Sequence, residues 1–231
     1  MIAWLALALS SAQAAAVALP DAATTVCAAV PDDPTASRAL ALTLAAKARR
    51  LREARELAAA AASLRIAVAL VPRDAALCHE LATLELQLGQ PLAAEAAWRQ
   101  AVAAQPDFAL ARLGWADLLV QRGQSLDLER ASELLQRVSR DAGAACTLTR
   151  VAALRAQCDD ADRWWGECER TPPRKPARVP AGELHALRGR CRFDRGEYDA
   201  AERHWESARV SGADVGRQLD RLAEAKRKAD A

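Results

Sequence analysis

The sequence predicts an all-α fold, a solenoid of antiparallel helix pairs, and three observations support this class. Strong helix formers, above all alanine, leucine, arginine and glutamate, dominate the 231 residues, and runs of β-branched residues are nearly absent. A pattern of small residues recurs at fixed spacing, which is typical of repeat architectures. Helical periodicity begins near Ser37 and continues with few interruptions to the C-terminus.

The repeat is clearest in the segments GQPLAAEAAWRQA and RGEYDAAERHWESA. In each, a glycine precedes an alanine, a tryptophan and a second alanine at identical spacings. These positions are Gly89, Ala94, Trp98 and Ala101 in one segment, and Gly196, Ala201, Trp205 and Ala208 in the other. The alanines let two helices approach closely, the tryptophan fills the gap beside the neighbouring helices, and the glycine supplies a left-handed turn.

Turn formers and prolines divide the chain into five units. Ser37 is the predicted N-cap of the first unit, and Pro72 and Pro106, 34 residues apart, end the first two units. The third begins near Ala109, and its turn holds three extra residues, Ser-Leu-Asp. The fourth is degenerate, because its turn has no glycine. The fifth opens at Gly182, and residues 214–231 form an amphipathic capping helix.

The N-terminus predicts export from the cytoplasm. Residues 1–16 form a predicted signal peptide, in which a short apolar run precedes Ala12-Gln13-Ala14, a cleavage pattern that places the cut near Ala14. No lysine or arginine precedes the apolar run, so an uncleaved membrane anchor and a buried helix remain alternatives. Residues 17–37 are expected to be a flexible segment. The predicted location is periplasmic or otherwise extracytoplasmic.

The six cysteines are compatible with an oxidising compartment. Their spacing is irregular, so pairing does not follow from the sequence. One disulfide is compatible with the grouping of Cys158, Cys168 and Cys191. Cys78 and Cys146 are predicted to be small buried hydrophobic residues.

The 34-residue period, together with the pattern of glycine, alanine, tryptophan and proline, resembles the tetratricopeptide repeat family, and specifically an exported bacterial member. The resemblance covers residues 38–213 and implies a right-handed α-solenoid of about five repeats. It also implies that the first helix of each pair lines a concave surface, which binds an extended peptide or a partner helix.

The resemblance assigns several polar side chains to this concave surface. The family members that clamp a carboxylate at the C-terminus of a chaperone use lysines and asparagines, where this chain has Ala45 with Arg49 and His79 with Thr83. A cytosolic chaperone cofactor is therefore not expected. The predicted partner-binding residues are Arg49, Arg52, His79, Gln87, Asp117, Gln121 and Arg190.

Composition and motifs narrow the function further. A formal net charge of +2 gives no field strong enough to indicate nucleic acid binding. No catalytic or phosphate-binding motif is present, and the cysteines and histidines lack paired metal-ligand spacing, so no cofactor, metal or enzymatic activity is expected. The sequence predicts a non-catalytic scaffold for a protein or peptide partner in the bacterial envelope. The alternative is an accessory subunit of a secretion, pilus or cytochrome-maturation machine that uses its convex face or ends.

Overall fold

The computed structural model describes residues 33–139, 142–170 and 179–229. The predicted signal peptide, residues 1–16, lies outside these ranges. The described residues form eleven helices and no strands. The helices are α1 (Pro34–Glu53), α2 (Leu57–Leu70), α3 (Ala75–Gln87), α4 (Pro91–Ala104), α5 (Ala109–Arg122), α6 (Ser125–Gln136), α7 (Ala142–Leu154), α8 (Cys158–Arg170), α9 (Ala181–Asp194), α10 (Tyr198–Val210) and α11 (Gly216–Ala229).

Consecutive helices pack as five antiparallel pairs, from α1 with α2 to α9 with α10, and α11 packs against α10 at the C-terminal end. Beyond the pairs, α3 contacts α5, α5 contacts α7, and α7 contacts α9. No comparably extensive contact joins the second helices of successive pairs within the described residues. The first helices are therefore crowded on the inner side of the stack, and the prediction of an all-α solenoid with a terminal cap is confirmed.

A residue with left-handed backbone ends the first helix of every pair. Three of the five are glycines, for which positive φ has little cost, but Arg55 and Ala156 adopt the same conformation with a Cβ atom. The five residues and their φ angles are Arg55 at 67°, Gly89 at 73°, Gly123 at 67°, Ala156 at 57° and Gly196 at 77°. The degenerate fourth pair therefore keeps the turn geometry of its neighbours without the glycine.

Two predicted local details are wrong. The N-cap of α1 is Asp33, whose carboxylate accepts hydrogen bonds from the amides of Thr35 and Ala36, and Ser37 lies buried in the first helical turn. The third turn has no extra residues, because α6 begins at Ser125, two residues after Gly123. The Ser-Leu-Asp sequence is the first turn of α6.

The recurring geometry of the repeat depends on tryptophans that pack against glycines. A Cβ atom placed on Gly114 of α5 would lie 2.6 Å from the Trp98 ring of α4, and one on Gly189 of α9 would lie 2.5 Å from the Trp205 ring of α10. Trp98 thus fills the space beside the next pair, as predicted, whereas Trp205 packs within its own pair. Buried alanines bring the helices of each pair together.

Two disulfides reinforce the C-terminal part of the solenoid. Cys146 and Cys168 join α7 to α8 with their Cα atoms 4.9 Å apart, and Cys158 and Cys191 join α8 to α9 at 5.7 Å. The prediction of a disulfide among Cys158, Cys168 and Cys191 is confirmed. The prediction that Cys146 is only a small hydrophobic residue is wrong, because helix pairing brings it to Cys168. Cys78 is buried, as predicted.

Candidate binding surface

The candidate binding surface is the inner side of the solenoid, formed by the first helices of the pairs. Two predicted contact residues on it bridge to the next first helix. Arg49 on α1 pairs with Glu80 on α3, with 2.6 Å between Nη2 and Oε1. Asp117 on α5 accepts a hydrogen bond from the Thr147 hydroxyl on α7 at 3.4 Å. Both side chains therefore hold neighbouring repeats together, in addition to any contact with a partner.

A third bridge continues this arrangement and was missed in the sequence. Arg150 on α7 pairs with Glu183 on α9, with 3.1 Å between Nε and Oε1. Arg150 lies 33 residues after Asp117, close to the repeat period, and this spacing could have revealed it. The degenerate fourth unit obscured the register. Polar side chains thus cross the inner surface between α1 and α3, between α5 and α7, and between α7 and α9.

His79, the third predicted contact residue, is half-buried on α3. Its Nδ1 accepts a hydrogen bond from the Trp98 indole at 3.1 Å, and its ring meets Phe108 edge to face with centroids 5.7 Å apart. These contacts orient the tryptophan of the repeat. His79 therefore has a packing role between α3 and α4.

Three other predicted residues lie near the ends of first helices and are exposed. They are Arg52 on α1, Gln87 on α3 and Gln121 on α5. Their positions correspond along three successive pairs, so they form one edge of the inner surface. Whether this edge contacts a partner stays a prediction.

Arg190, the last predicted residue, lines a groove at the C-terminal end of the inner surface. This inner groove lies mainly between α9 and α11 and has a volume of about 630 Å³. Its lining combines apolar residues with a charged rim. The lining residues are Glu183, Ala186, Leu187, Arg190, Phe193, Asp194, Trp205, Asp214, Arg217, Gln218 and Arg221.

Aromatic packing fixes the floor of the inner groove. The centroids of Phe193 and Trp205 lie 5.5 Å apart, and the Trp205 indole donates a hydrogen bond to the Ala186 carbonyl at 3.0 Å. The Arg221 guanidinium lies 5.8 Å from the centre of the Phe193 ring. Because these rings are held before any ligand arrives, the groove presents a rigid apolar surface.

The rim of the inner groove carries three arginines and three acids, so it has no strong net charge. Arg190 is 74% exposed, and its Nε lies 3.7 Å from the Asp194 carboxylate on the same helix. Such an exposed pair contributes little to stability. Arg190 is therefore able to exchange this carboxylate for one on a partner.

A buried polar network supports the groove from behind, where α8, α9 and α10 meet. Asp162 accepts hydrogen bonds from Arg188 and Arg192, and His204 Nε2 lies 3.7 Å from the same carboxylate. Burial opposes ionisation of Asp162, but the bonds from Arg192 and Arg188 outweigh it and hold its pKa below the ordinary value. Burial, and then the charge of Arg188, lower the pKa of His204 to about 4. The network therefore contains an ionised aspartate and a neutral histidine at pH 7.

A second histidine faces the same network. The ring of His185 lies 4.5 Å from that of Trp165, between centroids, and burial followed by Arg188 lowers its pKa. The adjacent tryptophans of α8 divide as the sequence predicted, because Trp165 is buried and Trp164 is half-buried. His185 thus contributes to packing between α8 and α9.

Neither a metal centre nor a membrane span is found in the described part of the chain. No group of three histidine, cysteine or acidic side chains there is placed to hold a metal ion. Cys146, Cys158, Cys168 and Cys191 are all joined in disulfides, so their sulfurs are not thiolate ligands. No described helix is long and apolar enough to cross a bilayer.

Comparison with known proteins supports the fold. No family model matches the chain, and neither does any curated protein sequence. Among solved structures, PilF of Pseudomonas aeruginosa superposes with a TM-score of 0.60 at 17% identity, over 85% of this chain and 87% of that one. The tetratricopeptide repeat protein TTC0263 of Thermus thermophilus gives a TM-score of 0.51 at 18% identity, over 80% of this chain and 98% of that one. The chain therefore has the tetratricopeptide repeat fold.

Proposed function

We propose that this tetratricopeptide repeat fold is a non-catalytic scaffold that binds a peptide or protein segment on its concave face. The inner groove carries the proposal. It combines a fixed aromatic floor with a mixed-charge rim, and a partner with a hydrophobic side chain between charged ones would match both features. An interaction scaffold is also the function that this fold suggests in general.

We further propose that the protein works in the bacterial envelope. Two disulfides among the described residues are expected of a chain that folds in an oxidising compartment, since cytosolic thiols stay reduced. The predicted signal peptide agrees with this location. Cell fractionation, followed by N-terminal sequencing of the mature form, tests it. An intact Met1 in an extracytoplasmic fraction would contradict cleavage near Ala14, and a cytoplasmic fraction would contradict export.

Affinity capture from envelope extracts, with matched variants of the bait, tests the binding face. Reversing three rim charges with Arg190→Glu, Arg217→Glu and Arg221→Glu removes the cations of the inner groove. A control bait carries Arg203→Glu and Arg209→Glu, which reverse exposed charges on α10. The proposal predicts that a protein captured by the wild type and the control is lost from the rim variant. Equal recovery with all three baits would exclude the inner groove as the binding site.

A second candidate is a structural subunit that contacts its partner outside the concave face. Leu92 and Leu126 favour it, because they begin α4 and α6 at corresponding positions and are 76% and 79% exposed. Solvated leucines that recur on adjacent repeats are a feature of protein interfaces. Replacing both with serine discriminates the two candidates. Loss of the captured partner from this variant alone would favour the convex or edge contact.

A further inference from the structure

An arginine occupies a place in the third repeat that smaller residues occupy elsewhere. Arg112 on α5 is only 4% exposed. Its counterpart 34 residues earlier is Cys78, which is fully buried, and its counterpart in α7 is Ala145. A buried charge at a position where the repeat otherwise has a small side chain is costly, and such exceptions often mark functional sites.

Backbone carbonyls hold the Arg112 side chain in place. Its Nε donates to the Pro106 carbonyl, and its Nη1 donates to the Leu134 carbonyl at 3.2 Å. Cys78 approaches Pro72 at the equivalent place in the second repeat, with 3.9 Å between sulfur and oxygen. No described hydrogen bond involves Arg112 Nη2. An arginine has five N–H donors, so the bonds to two carbonyls leave donors for a ligand.

Arg112 lines a groove between the second and third pairs that differs from the inner groove. This edge groove has a volume of about 600 Å³, and α4, α5 and α6 line it. Two further arginines, Arg130 and Arg137, face it together with one acid, Glu133. The Arg130 Nη1 lies 2.8 Å from the Glu133 carboxylate, which neutralises that one cation.

The other two cations lack such a partner. Among the described residues no ion pair involves Arg112 or Arg137. Burial, and then the proximity of Arg137, lower the pKa of Arg112, and the carboxylate of Asp107 opposes this only in part. Two guanidinium groups therefore repel one another beside a partly apolar groove. An anion placed between them would relieve this repulsion.

We propose that the edge groove binds an oxyanion, a carboxylate or a phosphate, between Arg112 and Arg137. Guanidinium groups match the paired oxygens of both anions with two parallel hydrogen bonds. Arg112 is fixed by its backbone contacts, and Arg137 is exposed and adjusts to the ligand. Val102 and Leu134 give the groove an apolar wall, which suits a carboxylate on a hydrocarbon body.

Thermal unfolding of the full chain in sodium succinate, sodium phosphate or sodium chloride at equal ionic strength and pH 7 tests the site. The melting temperature is expected to rise saturably with succinate, phosphate or both, by about 3–6 °C at tenfold excess over Kd. Chloride supplies the ionic-strength baseline. A rise with succinate alone identifies a carboxylate site, and a rise with phosphate alone identifies a phosphate site. No saturable rise with either anion would overturn the proposal.

Two variants and a control locate the effect. Arg137→Gln is expected to weaken the anion at least about tenfold, because it removes a charge-assisted hydrogen bond at an exposed position. Arg112→Met is expected to abolish the effect, and Arg99→Gln, an exposed arginine of α4 outside the groove, should leave it unchanged. General stabilisation by phosphate as a salt would act equally on all variants. An undiminished saturable rise in Arg137→Gln would place the anion elsewhere and overturn the proposal.

Discussion

The first three helix pairs and the last two are stabilised by different means. One continuous apolar core, rich in alanine and leucine, runs from α1 into α7. Beyond it, the described residues form two smaller clusters, around Trp165 and around Trp205. Both disulfides and the Asp162 network lie in this second region. Covalent and ionic contacts thus accompany the smaller cores, so redox state and pH should affect the second region more than the first.

The largest expected effect comes from the disulfide between α8 and α9. Replacing Cys158 and Cys191 with alanine opens a link across 33 residues, and loop entropy predicts a loss of about 3–4 kcal/mol in the free energy of unfolding. Urea denaturation followed by circular dichroism measures it. The loss should appear in the transition of the second region. A loss below about 1 kcal/mol would show that the link adds little to packing.

A methyl group at the tryptophan contacts should be damaging in both regions. Gly189→Ala would press a Cβ atom against the Trp205 ring, and Gly114→Ala would do so against Trp98. Overpacking of this kind costs about 1–3 kcal/mol. Gly166→Ala on α8 is the control, since its Cβ atom meets nothing within 4 Å and alanine favours the helix. Equal stability of Gly189→Ala and the control would contradict the close packing.

Acid should destabilise the second region through His204. Its pKa is about 4 in the fold and about 6.5 when unfolded, so the unfolded chain binds the proton first as pH falls. Stability is therefore full above pH 6.5 and is lost between pH 6.5 and 4, by about 1–2 kcal/mol after allowance for partial solvation. The groups that face His204 are Asp162, Arg188, Arg192 and His185.

Denaturation curves of the wild type and His204→Gln, at a series of pH values, measure this effect. The variant should lose most of the dependence between pH 6.5 and 4, and the lowered pKa of His185 leaves a smaller remainder. Below pH 4, protonation of Asp162 should destabilise both proteins, because its pKa is also lowered in the fold. Identical pH profiles would contradict the assignment to His204.

The smallest expected effect concerns the turn of the degenerate repeat. Ala156→Gly should stabilise the fold by up to about 1 kcal/mol, because a left-handed backbone strains a residue with a Cβ atom. Gly123→Ala in the third turn should have the opposite sign. Thermal melts of the two variants compare the turns directly. Destabilisation by Ala156→Gly would mean that the flexible unfolded chain outweighs the strain.

The sequence predicted the solenoid because the pattern of Gly89, Ala94, Trp98 and Ala101 reports local packing that each repeat carries within itself. Spacing alone did not show which residues meet across repeats. The Cys146–Cys168 disulfide was missed for this reason, because two distant segments become neighbours only when α7 and α8 pair. The third turn was misaligned because Ala131 and Leu135 were matched to the wrong positions.

The candidate site was less predictable than the fold. The sequence placed Arg190 on the inner surface, and that residue lines the inner groove. Arg217 and Arg221 were missed, because the terminal helix was predicted only as a cap. Arg49 and Asp117 bridge neighbouring first helices, a role that a one-dimensional pattern does not distinguish from ligand contact. Arg112 could have been found as a charge at a position where the preceding repeat has Cys78.

The central proposal is that a partner binds in the inner groove, and site-specific photo-crosslinking in living cells tests it most directly. A photoreactive residue is introduced at Arg190 or Arg217 in the groove, at Leu126 on the edge, or at Arg209 on α10. We predict one covalent adduct of the same mass from both groove positions and none from the other two. Adducts from Leu126 or Arg209, with none from the groove, would contradict the proposal.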